Sequence, residues 1–296
     1  MGAPFVAPTR FTHPIAVETW DAWFRWRDGD TLRDRTINDT WQRVARCVAR
    51  AEGPHASVWA NRFCDAFSQW RLLPGERLLR HAGTSHAAVR PRAPGAVLNV
   101  GAFVTTPIGE EARFEYARFM EAAALAVRLL DDAVASCDFV AKDDGLRIGM
   151  IGLGDALAAL GPRYGSESAR HTAQVVARAL AEGCLLGSVE LASERGASRI
   201  PPRDEMLEHW RRQGMSPWLL ERAARVGVRH ERVCTIGRHP LLARLANGVS
   251  DGIDAAPSER DENHRVQRDA LLAAIQPWID RTASPTEARA ACAITS

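Results

Sequence analysis

The chain has 296 residues, enough to bury a sizeable core in one large or two modest domains. Apolar residues make up 46 % and charged ones 25 %, ordinary for a globular protein, and a formal net charge of +2 excludes strong steering toward nucleic acid or membrane. The basic residues are arginine almost throughout, with Lys142 the single lysine, so Schiff-base chemistry has one candidate and the other cations can clamp anions but not act as bases.

Helical periodicity dominates the chain. Trp20, Trp23, Phe24 and Arg27 recur at i, i+3, i+4, i+7 and predict a first helix with its aromatics on one face. Asn38 or Asp39 is placed to cap a second helix carrying Trp41, Val44, Ala45 and Val48. A third helix is predicted from about Ser57 to Trp70, with Trp59, Phe63, Ala66, Phe67 and Trp70 on a stripe that reads as core. Residues 85–97 hold two prolines and a glycine and form a junction. Long helices are expected at roughly 109–137, 152–161 and 166–195, with 147–151 a strand between the first two. Residues 201–226 are helical again, interrupted at Gly214 and Pro217. The alternation of 228–236 predicts another strand, and 264–280 a last helix before a frayed end. The expected organisation is an N-terminal helical region (1–84), the junction, a core (98–257) and a C-terminal helix with its tail (258–296).

Six cysteines, Cys47, Cys64, Cys137, Cys184, Cys234 and Cys292, form no CxxC pair, which excludes a zinc ribbon and a thioredoxin-type motif. Cys137, after a predicted helix end, is expected to be exposed, and Cys234 to be a buried small hydrophobe. Arg128 and Asp131 interrupt the longest apolar stretch, and the first residues lack an apolar leader segment. The expectation is a reduced, cytoplasmic protein with no membrane and no nucleic-acid partner. Glu111 with Glu115 and Glu190 with Glu194 are i, i+4 pairs lacking a companion Glu-x-x-His, and they read as solvated faces rather than a di-iron site. Gly149, Gly152 and Gly154 have the wrong spacing for a dinucleotide loop and read as close packing at a strand-to-helix turn, with Asp155 capping the helix that follows.

Several longer stretches carry more information. TWQRVARCVARAEG at 40–53 continues through the Trp59 helix to LLPGERLLRHAGT at 72–84. LNVGAF opens at 98, followed by AVRLLDDAV at 126–134, LRIGMIGLGDALAALGPRYGSESA at 146–169 and ELASERG at 190–196. GVRHERVCTIGRHPLLARLANGVSDGID spans 227–254. In this order they resemble the large chain of ribonucleotide reductases, most closely the adenosylcobalamin-dependent kind.

The resemblance implies a mainly α-helical protein with a few short strands, a remnant of a large-chain fold lacking half of its ten-stranded barrel. In the family, the first half of the barrel and its finger loop separate the Ala-Gly-Thr turn from the Asn-Leu-Gly segment; here only residues 85–97 lie between Thr84 and Leu98. That interval holds no cysteine, asparagine or glutamate, and so none of the family's thiyl-radical motif. Leu98 stands where some relatives carry a reducing cysteine, and thiyl chemistry needs sulfur at both places, so ribonucleotide reduction is not expected. At the family's substrate-phosphate loop the chain reads Gly237-Arg238-His239-Pro240-Leu241-Leu242, without the hydroxyls.

The leading expectation is a repurposed enzyme acting on a small, nucleotide-like molecule. His239, His230 and Glu231 would supply its acid–base chemistry, and Arg238, Asn99 and Arg147 would bind substrate. His81 with His86 is the candidate pair for a metal or haem; the sequence names no cofactor. The alternative is a non-catalytic helical binding or scaffold protein, working as a homo-oligomer or with a partner chain.

Overall fold

A computed structural model describes residues 8–85, 93–106, 108, 110–137, 145–199 and 202–282. Its N-terminal part is built on aromatic burial. Helix α1 (Pro14–Trp23) opens on a proline whose fixed φ suits a first turn, with the His13 ring accepting the Ile15 amide. It buries Trp20 and, just past its end, Phe24. A hairpin of β1 (Arg27–Asp28) and β2 (Thr31–Leu32) follows, so Arg27 leaves the helical face predicted for it. Helix α2 (Ile37–Val48) starts after Thr36, earlier than Asn38 or Asp39 would place it, because Asp39 turns back to accept the Thr36 amide at 2.7 Å.

Helix α3 (Ala56–Ser68) sets the Phe67 ring 5.6 Å from that of Trp41. Trp41, Phe63 and Phe67 are fully buried, each contributing roughly 1.5–3 kcal/mol of transfer free energy. Trp70 is not on the α3 stripe: its φ of 57° falls past the helix end, and its ring meets Trp41 edge-on at 5.8 Å.

Strand β3 (Leu72–Pro74) and α4 (Glu76–His81) complete this part. Strand β4 (Gly95–Asn99) begins inside the predicted junction. The short pair β5 (Val104–Thr105) and β6 (Arg113–Phe114) then delays the next helix, so α5 spans Tyr116–Ser136 instead of starting near 109. Glu111 and Glu115 therefore share no helix face; Glu115 lies just outside α5 and accepts hydrogen bonds from Thr105 and Arg113.

Strand β7 (Arg147–Ile151) falls where the sequence put it. Helices α6 (Leu153–Leu160), α7 (Glu167–Arg195), α8 (Asp204–Arg212) and α9 (Pro217–Val226) follow, with the expected break between the last two. Asp155 does not cap α6. Gly152, at a φ of 71°, precedes that helix, and Asp155 instead accepts the Ser250 amide at 2.7 Å. The strand predicted over 228–236 shrinks to β8 (Thr235–Ile236), followed by α10 (Pro240–Leu245), α11 (His264–Ile275) and β9 (Arg281–Thr282).

Strand β3 pairs antiparallel with β4, Leu72 opposite Leu98, and β4 pairs parallel with β7, Asn99 opposite Ile151. A parallel bridge from Ile148 to Cys234 joins β7 to the residue before β8, and β8 pairs parallel with β9. The strand sequence is thus β3-β4-β7-β8-β9. Val97, Leu98, Ile148, Met150 and Ile151 are all buried, as parallel strands covered on both faces require. The protein is mainly helical, and α5 packed along α7 forms its centre. Gly183 and Gly187, one turn apart on α7, allow that approach: a methyl on Gly183 would collide with the Met120 carbonyl, and one on Gly187 would lie 2.7 Å from the Ala124 carbonyl. No helix among the described residues is long and apolar enough to cross a membrane.

Candidate functional site

The apolar run of α5 contains Arg128, Asp131 and Asp132, all buried. Charges taken out of water need partners, and here the partners come from distant parts of the chain. Asp131 Oδ2 accepts from Arg195 Nη1 at 2.6 Å, and its Oδ1 accepts from Arg229 Nε at 2.7 Å. The Nε2 of His230 lies 2.8 Å from the same Oδ1. One carboxylate thereby ties α5 to the end of α7 and to the segment after α9. Arg195 also reaches Glu52 at 2.7 Å, which Arg128 shares at 2.8 Å. The other Arg128 nitrogen meets Glu194 at 2.5 Å, and its guanidinium carbon stands 4.0 Å from the centre of the Trp59 ring.

Four carboxylates here face three arginines and one histidine, and Asp132 is the carboxylate without a hydrogen bond. Burial raises the Asp131 carboxyl, but hydrogen bonds from His230 and Arg229 outweigh it and hold the group well below the usual range. For Asp132 burial wins: with the Glu52 charge nearby, its carboxyl is pushed up to about 7, although Arg195 Nη1 lies 2.7 Å away. Arg195 is close enough to attract Asp132 but poorly aligned, and neither Asp132 oxygen accepts a hydrogen bond.

Beside this network opens a cleft lined by His209, Trp210, His230, Glu231, Cys234 and Trp278, among others. Its inner volume of about 40 Å³ takes a few water molecules, not a nucleotide. Cys184 also lies on its wall, as the hydrogen-bonding neighbour of Cys234. That hydrogen bond and full burial push the Cys234 thiol well above its ordinary range, which makes it a small hydrophobe rather than a nucleophile.

The residues singled out in the sequence do not converge on one place. His230 and Glu231 precede β8 and line the cleft, with His230 held by Asp131 and Glu231 paired to Arg199. His239 follows β8: its amide donates to Asp251 at 2.5 Å, and its shielded Nε2 lies over Gly149 without a hydrogen bond. Burial lowers the pKa of that imidazole, against the opposing charge of Asp251. The three proposed acid–base residues are thus held by three different sets of partners.

Arg238 and Asn99 sit with His239 at the C-terminal edge of the parallel strands. Arg238 pairs with Asp251 at 3.0 Å and Asp254 at 3.4 Å, and the buried Asn99 closes β4. Arg147 is at the opposite edge, the first residue of β7, so it does not join Asn99. His81 ends α4, and His86 lies outside the described residues. Among the described residues no group of three or more His, Cys, Asp or Glu is arranged to hold a metal ion. The sequence reading missed the Asp131–Arg195–Arg229 centre. Its signal was in view, because three charges inside an otherwise apolar helical run must find partners.

The family model described as ribonucleotide reductase, all-alpha domain, matches residues 10–87, and that described as ribonucleotide reductase, barrel domain, matches 96–226. The chain belongs to the ribonucleotide reductase large-chain family through both of its parts. Among curated proteins it is similar to the vitamin B12-dependent ribonucleoside-diphosphate reductases of Mycobacterium tuberculosis strains CDC 1551 and H37Rv, at 29 % identity over 143 residues in each case. That similarity covers 46 % of this chain and 20 % of each relative, so the chain spans about a fifth of their length.

Proposed function

We propose that this chain is a reductase-like protein that does not itself reduce ribonucleotides and serves as a binding scaffold for another chain. The observation that carries the reading is the direct pairing of β3 with β4. With Leu72 on Leu98 and the order β3-β4-β7-β8-β9, the five strands of this order match in number half of a ten-stranded barrel. Leu98 is a fully buried leucine where, by the resemblance, some relatives carry a reducing cysteine, and that step would lack its sulfur. The charges near the old substrate loop point the same way, since Arg238 is occupied by Asp251 and Asp254.

Vitamin B12, on which the matched relatives depend, does not fit the residues described. The family's cobalamin chemistry ends on a cysteine radical in the finger loop, residues 85–97 between Thr84 and Leu98 hold no cysteine, and the cleft beside His230 is far smaller than a corrin.

A second reading is an acid–base enzyme for a small polar molecule at the cleft, favoured by the placement of His230. A carboxylate on one imidazole nitrogen fixes its tautomer and leaves the other for proton transfer, and His230 has Asp131 in that role. In that reading His230 and Glu231 act at the cleft, while His239, Arg238 and Asn99 belong to the separate edge of the strands.

Incubation of the purified chain with a ribonucleoside diphosphate, adenosylcobalamin and a dithiol should yield no deoxynucleotide. Product above the no-protein blank refutes the first reading. Native mass spectrometry on the same sample separates the two: a bare mass in a defined assembly supports the scaffold, and a stoichiometric surplus mass supports the enzyme.

A further inference from the structure

The tail ends of two helices, one from each matched region, meet just beyond the ion-pair network. Ser136 Oγ, in the last turn of α5, donates to the Val48 carbonyl in the last turn of α2 at 3.0 Å. That contact brings together Cys47, the next-to-last residue of α2, and Cys137, the first residue past α5. Their sulfurs are 3.7 Å apart, although 90 positions separate them in sequence. Cys47 is buried and Cys137 partly exposed, so the pair opens to solvent on the Cys137 side.

The surroundings of Cys47 are those of an activated thiol. The Cys137 thiol hydrogen-bonds with it, the Gly83 amide points at it, and the Arg50 and Arg43 cations lie nearby. Together, against the cost of burial, they bring the Cys47 thiol down to about 6, with the hydrogen bond from Cys137 the largest contribution. Cys64, one helix away, is pushed up to about 11 by burial. The contrast sets the Cys47–Cys137 pair apart from Cys64 as the thiols able to react near neutral pH.

We propose that Cys47 and Cys137 form a redox-active dithiol that closes to a disulfide on two-electron oxidation by a peroxide, locking the end of α5 to α2. The Cys47 thiolate attacks the peroxide O–O bond and takes up one oxygen as a sulfenic acid, and hydroxide leaves to become water with one proton. The Cys137 sulfur then attacks the sulfenic sulfur, the S–O bond breaks, and the hydroxyl departs with the thiol proton as a second water. For hydrogen peroxide, two thiols lose two electrons and the peroxide becomes two waters. An external dithiol reverses the step by exchange. Closure shortens the sulfur separation from 3.7 Å to the ~2.05 Å of a disulfide, within reach of side-chain rotation at the unwound Cys137 end.

The test uses the whole chain, reduced and then treated with near-stoichiometric hydrogen peroxide before alkylation of the remaining thiols. Peptide mapping should find Cys47 linked to Cys137, an intact mass lower by two hydrogens, and full reversal by dithiothreitol. In Cys137→Ser the link should vanish and Cys47 should instead be trapped as a sulfenic acid by dimedone; in Cys64→Ser the link should persist. Oxidation of the wild-type chain that leaves Cys47 and Cys137 unlinked overturns the proposal, as does sulfinic acid on Cys47 as its first product. The wild-type map needs no variant to fold, so it decides the question alone.

Discussion

Asp132 is a fully buried carboxylic acid in excess over the arginines around it, and its replacement by asparagine makes a quantitative test. A carboxyl raised from 3.8 to about 7 on folding takes up protons as the chain folds, the reverse of the usual acidic residue. Its contribution is therefore harmless below pH 3.8 and becomes increasingly destabilising as pH rises toward and through 7. Integrating the linkage gives a cost of roughly 2 kcal/mol at pH 5 and roughly 4 kcal/mol at pH 8. Asparagine keeps the shape and cannot ionise, and Arg195 retains Asp131 and Glu52 as partners. Asp132→Asn should therefore stabilise the chain at both pH values, by roughly 2–3 kcal/mol more at pH 8 than at pH 5. Urea unfolding followed by the fluorescence of the chain's nine tryptophans, at the two pH values, measures the difference. An equal gain at both, or a loss at pH 8, would refute the assignment of the surplus charge to Asp132.

Asp131→Asn removes the charge that Arg195, Arg229 and His230 share and leaves two guanidinium groups short of a partner, so it should cost about 3–5 kcal/mol in the same unfolding assay. Gly183→Ala drives a methyl into the α5 backbone and should lower stability by about 1–3 kcal/mol, read as a shifted urea midpoint with unchanged slope; a neutral result would mean that the α5–α7 contact is looser than described.

The sequence reached far into the local structure. Strand β7 and helix α7 lie within a residue of where periodicity and flanking glycines put them, because a repeat of 3.6 or 2 residues is visible in a short window. The resemblance to the reductase large chain was carried by the same local strings. Errors came where a contact from elsewhere competed with local pattern. The β5–β6 pairing held back the start of α5, and the residues before β8 gave up strand geometry while Asp131 and Ser188 held Arg229 and His230.

The candidate site was legible only in fragments. His230 and Glu231 could be named from their place in the string, but not that His230 would rest on Asp131, nor that His239 would be held apart by Asp251. By itself the sequence determined most of the helices and the family. Only the tertiary structure decided which charges cancel and which thiols meet, because Asp131 lies 64 positions from Arg195 and Cys47 lies 90 from Cys137. Such pairings follow from how helices pack, and no short window of sequence contains both partners.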